Sequence, residues 1–396
     1  MKKSHLSSPS SAYLAPNFDE IVEARELYLK FINSTNIGAD NFSLTTASES
    51  TSYARCFAIF GYGLILSDEI ITNSIPLARL IRFDLDRLRN SLVESGTILR
   101  FNKPYLQLLS FSLSALTILK RIDDDPLIDH VAPLINEHYL DDLFLRNVFN
   151  SFPQTGNYAM FVAILILHIS KYGNQKIDLS QWEESHLKYM NQFGFWGSGS
   201  MSHSQFQNGY HQYEIFEYLN TKSVPWEISA DSVAALADFD GHFAPYIGGG
   251  GCYDYDAIFL LTTNLKSIKK HSELLKKTFQ TLISEQNKDG GFCESKKIRP
   301  VSLSYIGEST KHVLSGKGRA RLERFHQMLT LLRPKYNRIH THWSRYSREW
   351  SESNLWDSWF RMLTIARIDV AFNPENAKHW GFINYPGIGF HPSLRD

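Results

Sequence analysis

The sequence carries no net charge: 41 lysines and arginines are balanced by 41 aspartates and glutamates over 396 residues. No overall field draws such a chain onto nucleic acid or an anionic membrane, and a neutral or apolar small molecule is the expected partner. Cysteine is scarce. Cys56, Cys252 and Cys293 are odd in number, far apart and outside any CxxC pair, which excludes a disulfide framework and a structural zinc knot and implies a reducing, cytoplasmic setting. No signal peptide is expected, because the opening MKKSHLSSPSSAYLAPNFDE has two lysines but no apolar core; residues 1–20 read as a mobile tail. The longest apolar run, Tyr158 to Ser170, is shorter than the roughly 20 residues that span a bilayer. Alternating strand patterns are few.

What is present is a succession of apolar segments of helix length. They begin near Tyr53, Tyr105, Tyr158, Tyr210, Tyr255 and Trp356, with a weaker start near Tyr305. A recurrence of this kind marks an array of helical hairpins. Between the apolar segments lie amphipathic ones such as Ile75 to Val93 and Ser272 to Gln286, whose apolar residues recur at three and four positions. The pattern predicts an all-α fold: an α/α toroid in which residues 21–396 form one domain, about six inner helices buried all round and the outer helices half wet. A linear solenoid is the competing arrangement, but the segments ahead of the inner helices are rich in glycine, aromatics and acids, as a lumen face would be.

Two motifs carry a resemblance. The stretch QNKDGGF (Gln286 to Phe292) resembles the QW-type repeat of squalene cyclases and the related protein prenyltransferase β-subunits, and Trp356-Asp357-Ser358 is similar to their Trp-Asp-Thr helix start. His186 to Ser200 is a fainter echo. The resemblance implies the toroid, a central cavity, and acid-initiated cyclisation or isomerisation of an isoprenoid-like substrate. Asp254 and Asp256 match the first two acids of the family's Asp-x-Asp-Asp motif, and Ala257 stands where the third would be. The prenyltransferase zinc set has no counterpart, so no cofactor and no metal are expected.

Read from residue chemistry alone, YIGGGGCYDYDAIFLL (Tyr246 to Leu261) places two acids at a helix start behind a flexible approach. Asp254 as a helix cap and Asp256 as a first-turn charge would satisfy ordinary helix chemistry. The glycine run exceeds what a cap needs and points to close approach of a ligand or neighbouring backbone. His211 and Glu214 stand three apart on the preceding inner helix, so that Asp254, Asp256, Glu214 and His211 form the candidate catalytic set, able to perform general acid–base work. Tyr210, Tyr253, Tyr255, Trp356, Gly250 and Gly251 are the candidate substrate-binding residues. His203, His211 and Asp256 would be the donors of any metal. The acidic run Arg121 to His130 reads as a solvated helix end, and Arg345 and Arg348 as residues able to neutralise an anionic substrate. The same acids suit a carbohydrate-active α/α barrel (hydrolase, lyase or epimerase), and the array alone suits a binding scaffold.

Overall fold

The computed structural model describes residues 15–67, 73–135 and 155–386. Residues 1–14, most of the expected tail, lie outside them; the first helix, α1 (Phe18–Ser34), begins within the stretch assigned to that tail. The chain then runs through α2 (Ser52–Leu64), α3 (Ser74–Glu94), α4 (Lys103–Ile118), α5 (Ile128–Val131), α6 (Thr155–Tyr172) and α7 (Ser180–Lys188). It continues with α8 (His203–Tyr218), α9 (Trp226–Ala234), α10 (Gly251–Leu261), α11 (Leu265–Lys270) and α12 (Ser272–Glu285). A hairpin of α13 (Leu303–Ser315) and α14 (Gly318–Leu331) precedes the last long helix, α15 (Leu355–Phe372). Two short strands, β1 (Arg338–Ile339) and β2 (Arg348–Glu349), pair antiparallel in the loop ahead of it. No described helix is long and apolar enough to cross a membrane.

Six of these helices close a ring. Each of α2, α4, α6, α8, α10 and α15 packs on the next, and α15 returns to α2, so the array is a toroid and not a solenoid. All six coincide with the apolar runs of the sequence, while the weaker start near Tyr305 belongs to α13, outside the ring. Their N-terminal ends gather at one rim. The Tyr53 hydroxyl donates to the Pro104 carbonyl (2.7 Å), Tyr158 to that of Phe101 (2.8 Å), and Tyr253 to Gln207 (2.8 Å). Outer helices cover the ring from outside: α3 on α4, α9 on α10, and α12 on α15.

The repeat motif is the joint between units. Asn287 N–H bonds the Gly291 carbonyl (2.8 Å), and Asn191 N–H bonds that of Phe195 (2.7 Å), the same loop closure at the ends of two outer segments. Gly290 has φ +90°, and a Cβ there would lie 1.9 Å from the Leu27 carbonyl oxygen, so only glycine fits. Phe292 is fully buried beyond it. Its N–H donates to the Ser358 hydroxyl (2.7 Å), which in turn donates to the Phe292 carbonyl (3.2 Å), pinning the loop to α15.

Candidate active site

Most inner helices start on an ordinary side-chain cap: Thr51 for α2, Asn102 for α4, Ser202 for α8 and Asn354 for α15. The start of α10 differs, since its N-cap is Gly250 and no side chain caps it. Gly248, Gly249 and Gly250 all have positive φ. A Cβ on Gly249 would lie 2.7 Å from Arg361 Nη2 and 2.8 Å from His242 Nδ1; one on Gly250 would lie 2.7 Å from the Tyr246 hydroxyl, and one on Gly251 3.1 Å from the Asp357 backbone. The glycines of this run therefore admit the protein's own neighbouring groups, and Gly250 and Gly251 face protein atoms.

Asp254 is neither cap nor free acid. One oxygen accepts from Phe243 N–H (3.0 Å) and the other from His242 Nδ1 (2.8 Å), with Arg361 at 3.7 Å. His242 Nε2 and Arg361 Nη1 both reach Glu285, at 3.3 and 2.9 Å. Two acids and two bases thus form one compensated cluster, with Asp254, His242 and Arg361 almost wholly buried. Burial opposes charge on His242, but Asp254 and Glu285 outweigh it and hold the imidazole well above its usual pKa. Burial also works against the Glu285 carboxylate, yet His242 and Arg361 bring it down to about 2.

Asp256, two residues on, is turned by about 200° round the helix and meets the opposite conditions. It is 3% exposed, and one carboxyl oxygen has no hydrogen-bond partner. Burial raises its pKa well above the ordinary carboxylate value, and the nearest charges, Glu214 and Asp254, push it further the same way. Both influences favour the protonated form of the Asp256 carboxyl. Glu214 on α8 is also buried and raised by burial, though His211, Tyr210 and Arg367 restrain the shift. Its carboxylate lies 3.3 Å from His211 Nδ1, and the His211 side chain keeps 18% of its surface accessible midway along an inner helix. Rings flank this group: Tyr210 lies 6.2 Å from Tyr255 and 5.4 Å from Phe259, and Tyr255 lies 5.7 Å from Phe360.

Of the four acid–base candidates, the structure groups Asp256 with Glu214, and Glu214 with His211; it sets Asp254 in the ion cluster. Tyr210 and Tyr255 stand beside the group, and Trp356 packs at a tilt against Trp343, centroids 4.4 Å apart. His203 is committed elsewhere: its Nδ1 meets the Phe243 carbonyl and its Nε2 accepts from Arg324, so it does not join His211 and Asp256 around a common point. Arg348 is buried and bound to Glu294 and Asp357, leaving only Arg345 of the expected anion-neutralising pair at the surface. Three of the four acids of the Arg121 to His130 run are engaged by arginines, Asp125 and Asp129 by Arg82 and Asp124 by Arg121.

Sequence reasoning missed His242, Glu285, Arg361 and Glu294. Glu294 is partly buried beneath the start of α10, hydrogen-bonded by Tyr246 and Arg348. Burial, then Asp357, raise it to about 7. The only signal of these groups in the chain is their position: Glu285 and Glu294 bracket QNKDGGFC, and Arg361 lies one turn after Trp356-Asp357-Ser358.

Two clefts open at the rim. One of about 490 Å³ lies between the starts of α8 and α10 and helix α14, lined by His203, Tyr246, Tyr253, Arg319, Leu322 and Glu323 among others. Tyr253 belongs to the turn of α10 that leads to Asp256. The other, about 700 Å³, lies under the His342 to Arg345 loop beside Tyr53 and Arg87.

No family model and no curated protein matches this sequence. Among solved structures, the chain is similar to the type II terpene cyclase MstE from Scytonema in its apo form, at 10% identity and a TM-score of 0.49, over 92% of this chain and all of that one. It is also similar to a variant of that enzyme in complex with its product, merosterolic acid A, at 10% identity and a TM-score of 0.47, over 90% of this chain and 98% of that one.

Proposed function

We propose that the protein is an enzyme that acts on a hydrophobic, isoprenoid-like substrate by acid-initiated cyclisation or isomerisation, with Asp256 as the proton donor. The observation that carries this reading is the Asp256 carboxyl: buried, with one oxygen lacking a hydrogen-bond partner, and with the like-charged groups Glu214 and Asp254 beside it. Burial and like-charged neighbours favour the protonated form of such an acid and hold its proton where water does not compete. A hydrated sugar would find few wet carboxylates in this group.

The step balances simply. The Asp256 proton adds to one alkene carbon, the π pair forms the new C–H bond, and the other carbon becomes cationic. A second double bond attacks that carbon in a cyclisation; in an isomerisation a neighbouring proton leaves directly. His211, oriented by Glu214, takes the final proton, and Asp256 is reprotonated from solvent. The faces of Tyr210, Tyr255 and Phe259 stabilise the intermediate cation. Tyr253, three residues before Asp256, lines the 490 Å³ cleft at the rim.

The test is incubation of the purified protein with linear isoprenoids in heavy water, products read by mass spectrometry. One deuterium per turnover at the protonated carbon is expected. Product without label, or undiminished turnover by Asp256→Asn, would refute the assignment.

A further inference from the structure

The hairpin α13–α14 is amphipathic the wrong way round. Its buried positions are mostly polar or small: Ser309 and His312 with Tyr305 on α13, Ala320 and Arg324 with Leu331 on α14. They dock on the ring through hydrogen bonds. Arg324 reaches His203 Nε2 (3.2 Å), the His312 carbonyl (3.0 Å) and the Leu236 carbonyl (2.6 Å), and Glu323 accepts from His203 N–H (2.6 Å) at the start of α8. The opposite faces are apolar and open to solvent. Leu303, Ile306 and Leu314 are 88, 45 and 63% exposed on α13, and Leu322, Phe325 and Leu329 are 67, 47 and 43% exposed on α14. At 100° per residue each trio falls on one stripe, about opposite its helix's buried positions, so both stripes point away from the body of the protein.

The same segment breaks the chain's charge balance. Between Lys296 and Lys335 ten lysines and arginines meet only two acids, Glu308 and Glu323, a surplus of eight positive charges. The rest of the chain, with 31 basic and 39 acidic residues, is negative by eight. Lys311, Lys317, Arg319, Arg321, Arg333 and Lys335 are all exposed beside the apolar stripes. Exposed leucines flanked by bases form a surface that enters the headgroup region of a bilayer, with the bases on anionic headgroups. A second copy of this chain docked face to face would set two such positive surfaces against each other.

We infer that the α13–α14 hairpin is a peripheral docking surface for an anionic lipid bilayer. Leu322 belongs both to the exposed stripe and to the wall of the 490 Å³ cleft beside Tyr253, so a docked protein opens that cleft towards the membrane. The inference does not rest on the proposed reaction, because docking is measured without turnover.

The test is co-sedimentation with vesicles of phosphatidylcholine alone and of phosphatidylcholine mixed with phosphatidylglycerol. The full chain is expected to sediment with the mixed vesicles, to remain in solution with the neutral ones, and to be released by added salt. The double variant Leu322→Glu/Phe325→Glu should lose binding about tenfold or more, since two apolar anchors are replaced by charges repelled by the surface. Leu303→Glu/Leu314→Glu on the other helix should do the same, which guards against one variant failing to fold. Wild-type protein that ignores both vesicles, or variants that bind as well as it does, would overturn the inference. So would a wild-type dimer that ignores vesicles and that the variants dissociate, for then a second copy covers the stripes.

Discussion

Asp254 and Asp256 are two residues apart on α10, nearly equally buried, and opposite in their surroundings. Asp254 stands within reach of His242 and Arg361, whose charges Glu285 completes, and the group is neutral as a whole. Asp256 has Glu214 and Asp254 as its neighbouring charges, and with burial they favour the protonated carboxyl. Burying a carboxyl is tolerated by either route, through counter-ions or through protonation, and only the second leaves a proton that can be given away. The glycine run serves the first route, since it is what lets His242 and Arg361 come close.

The largest effect that would break this contrast is on turnover. Asp256→Asn keeps the shape and removes the proton, and should cost roughly 10²–10⁴-fold in rate. Its folding should be unharmed. A carboxyl whose pKa is raised in the fold stabilises the protein at low pH and loses that contribution as pH rises through the folded value. The variant should therefore melt no lower than the parent at mildly alkaline pH, as calorimetry would show. The parent's turnover should fall on the same alkaline limb.

Asp254→Ala attacks the other route. It strands His242 and Arg361 with Glu285 as their only carboxylate in the cluster, and removing one partner of a buried pair costs about 3–5 kcal/mol. Urea unfolding should show that loss, whereas a cost near zero would mean that the cluster is not compensated as described. A variant that kept its stability and lost only turnover would reverse the roles assigned to the two aspartates.

The ring was legible in the sequence because an inner helix packed on every side must be apolar on every side, and such runs are visible without coordinates. Six starts near aromatic residues coincided with six helices of the ring. The seventh candidate, near Tyr305, did form a helix, but its leucines face outward, and periodicity cannot tell an inward stripe from an outward one. The pair Asp254 and Asp256 was visible as a spacing, but their division of labour was not, because the deciding bases come from His242 and Arg361, over a hundred residues apart. The even charge total hid a basic hairpin, since opposite surpluses cancel in a sum.

A third test uses acid. Glu285 is held at about 2, against 4.5 for an ordinary glutamate, so its contribution is present above the unfolded value and lost as pH falls towards 2. That window is worth on the order of 3 kcal/mol. Thermal melts between pH 5 and 2 should fall steeply for the parent and more shallowly for Glu285→Gln, which starts lower because it lacks the charge. Equal slopes would place the acid sensitivity in other carboxylates.

The smallest effect separates charge from geometry on one face of α15. Ser358 lies three residues before Arg361, and both reach the strand of chain between Phe292 and Glu294, Ser358 through the Phe292 N–H and carbonyl and Arg361 through the Glu294 carbonyl. The serine's clamp is neutral and the arginine's is ionic. Ser358→Ala leaves the buried Phe292 N–H without its acceptor and should cost about 1–3 kcal/mol, by the penalty for an orphaned donor. Because no charge changes, that cost should be the same at pH 3 and pH 8, while the cost of Glu285→Gln should shrink at pH 3, since the contribution of a carboxylate held at about 2 is lost as pH falls from the unfolded value towards it. A Ser358→Ala cost that varied with pH would show that the neutral joint and the ion cluster act as one unit, and that the glycine-lined start of α10 senses the repeat loop directly.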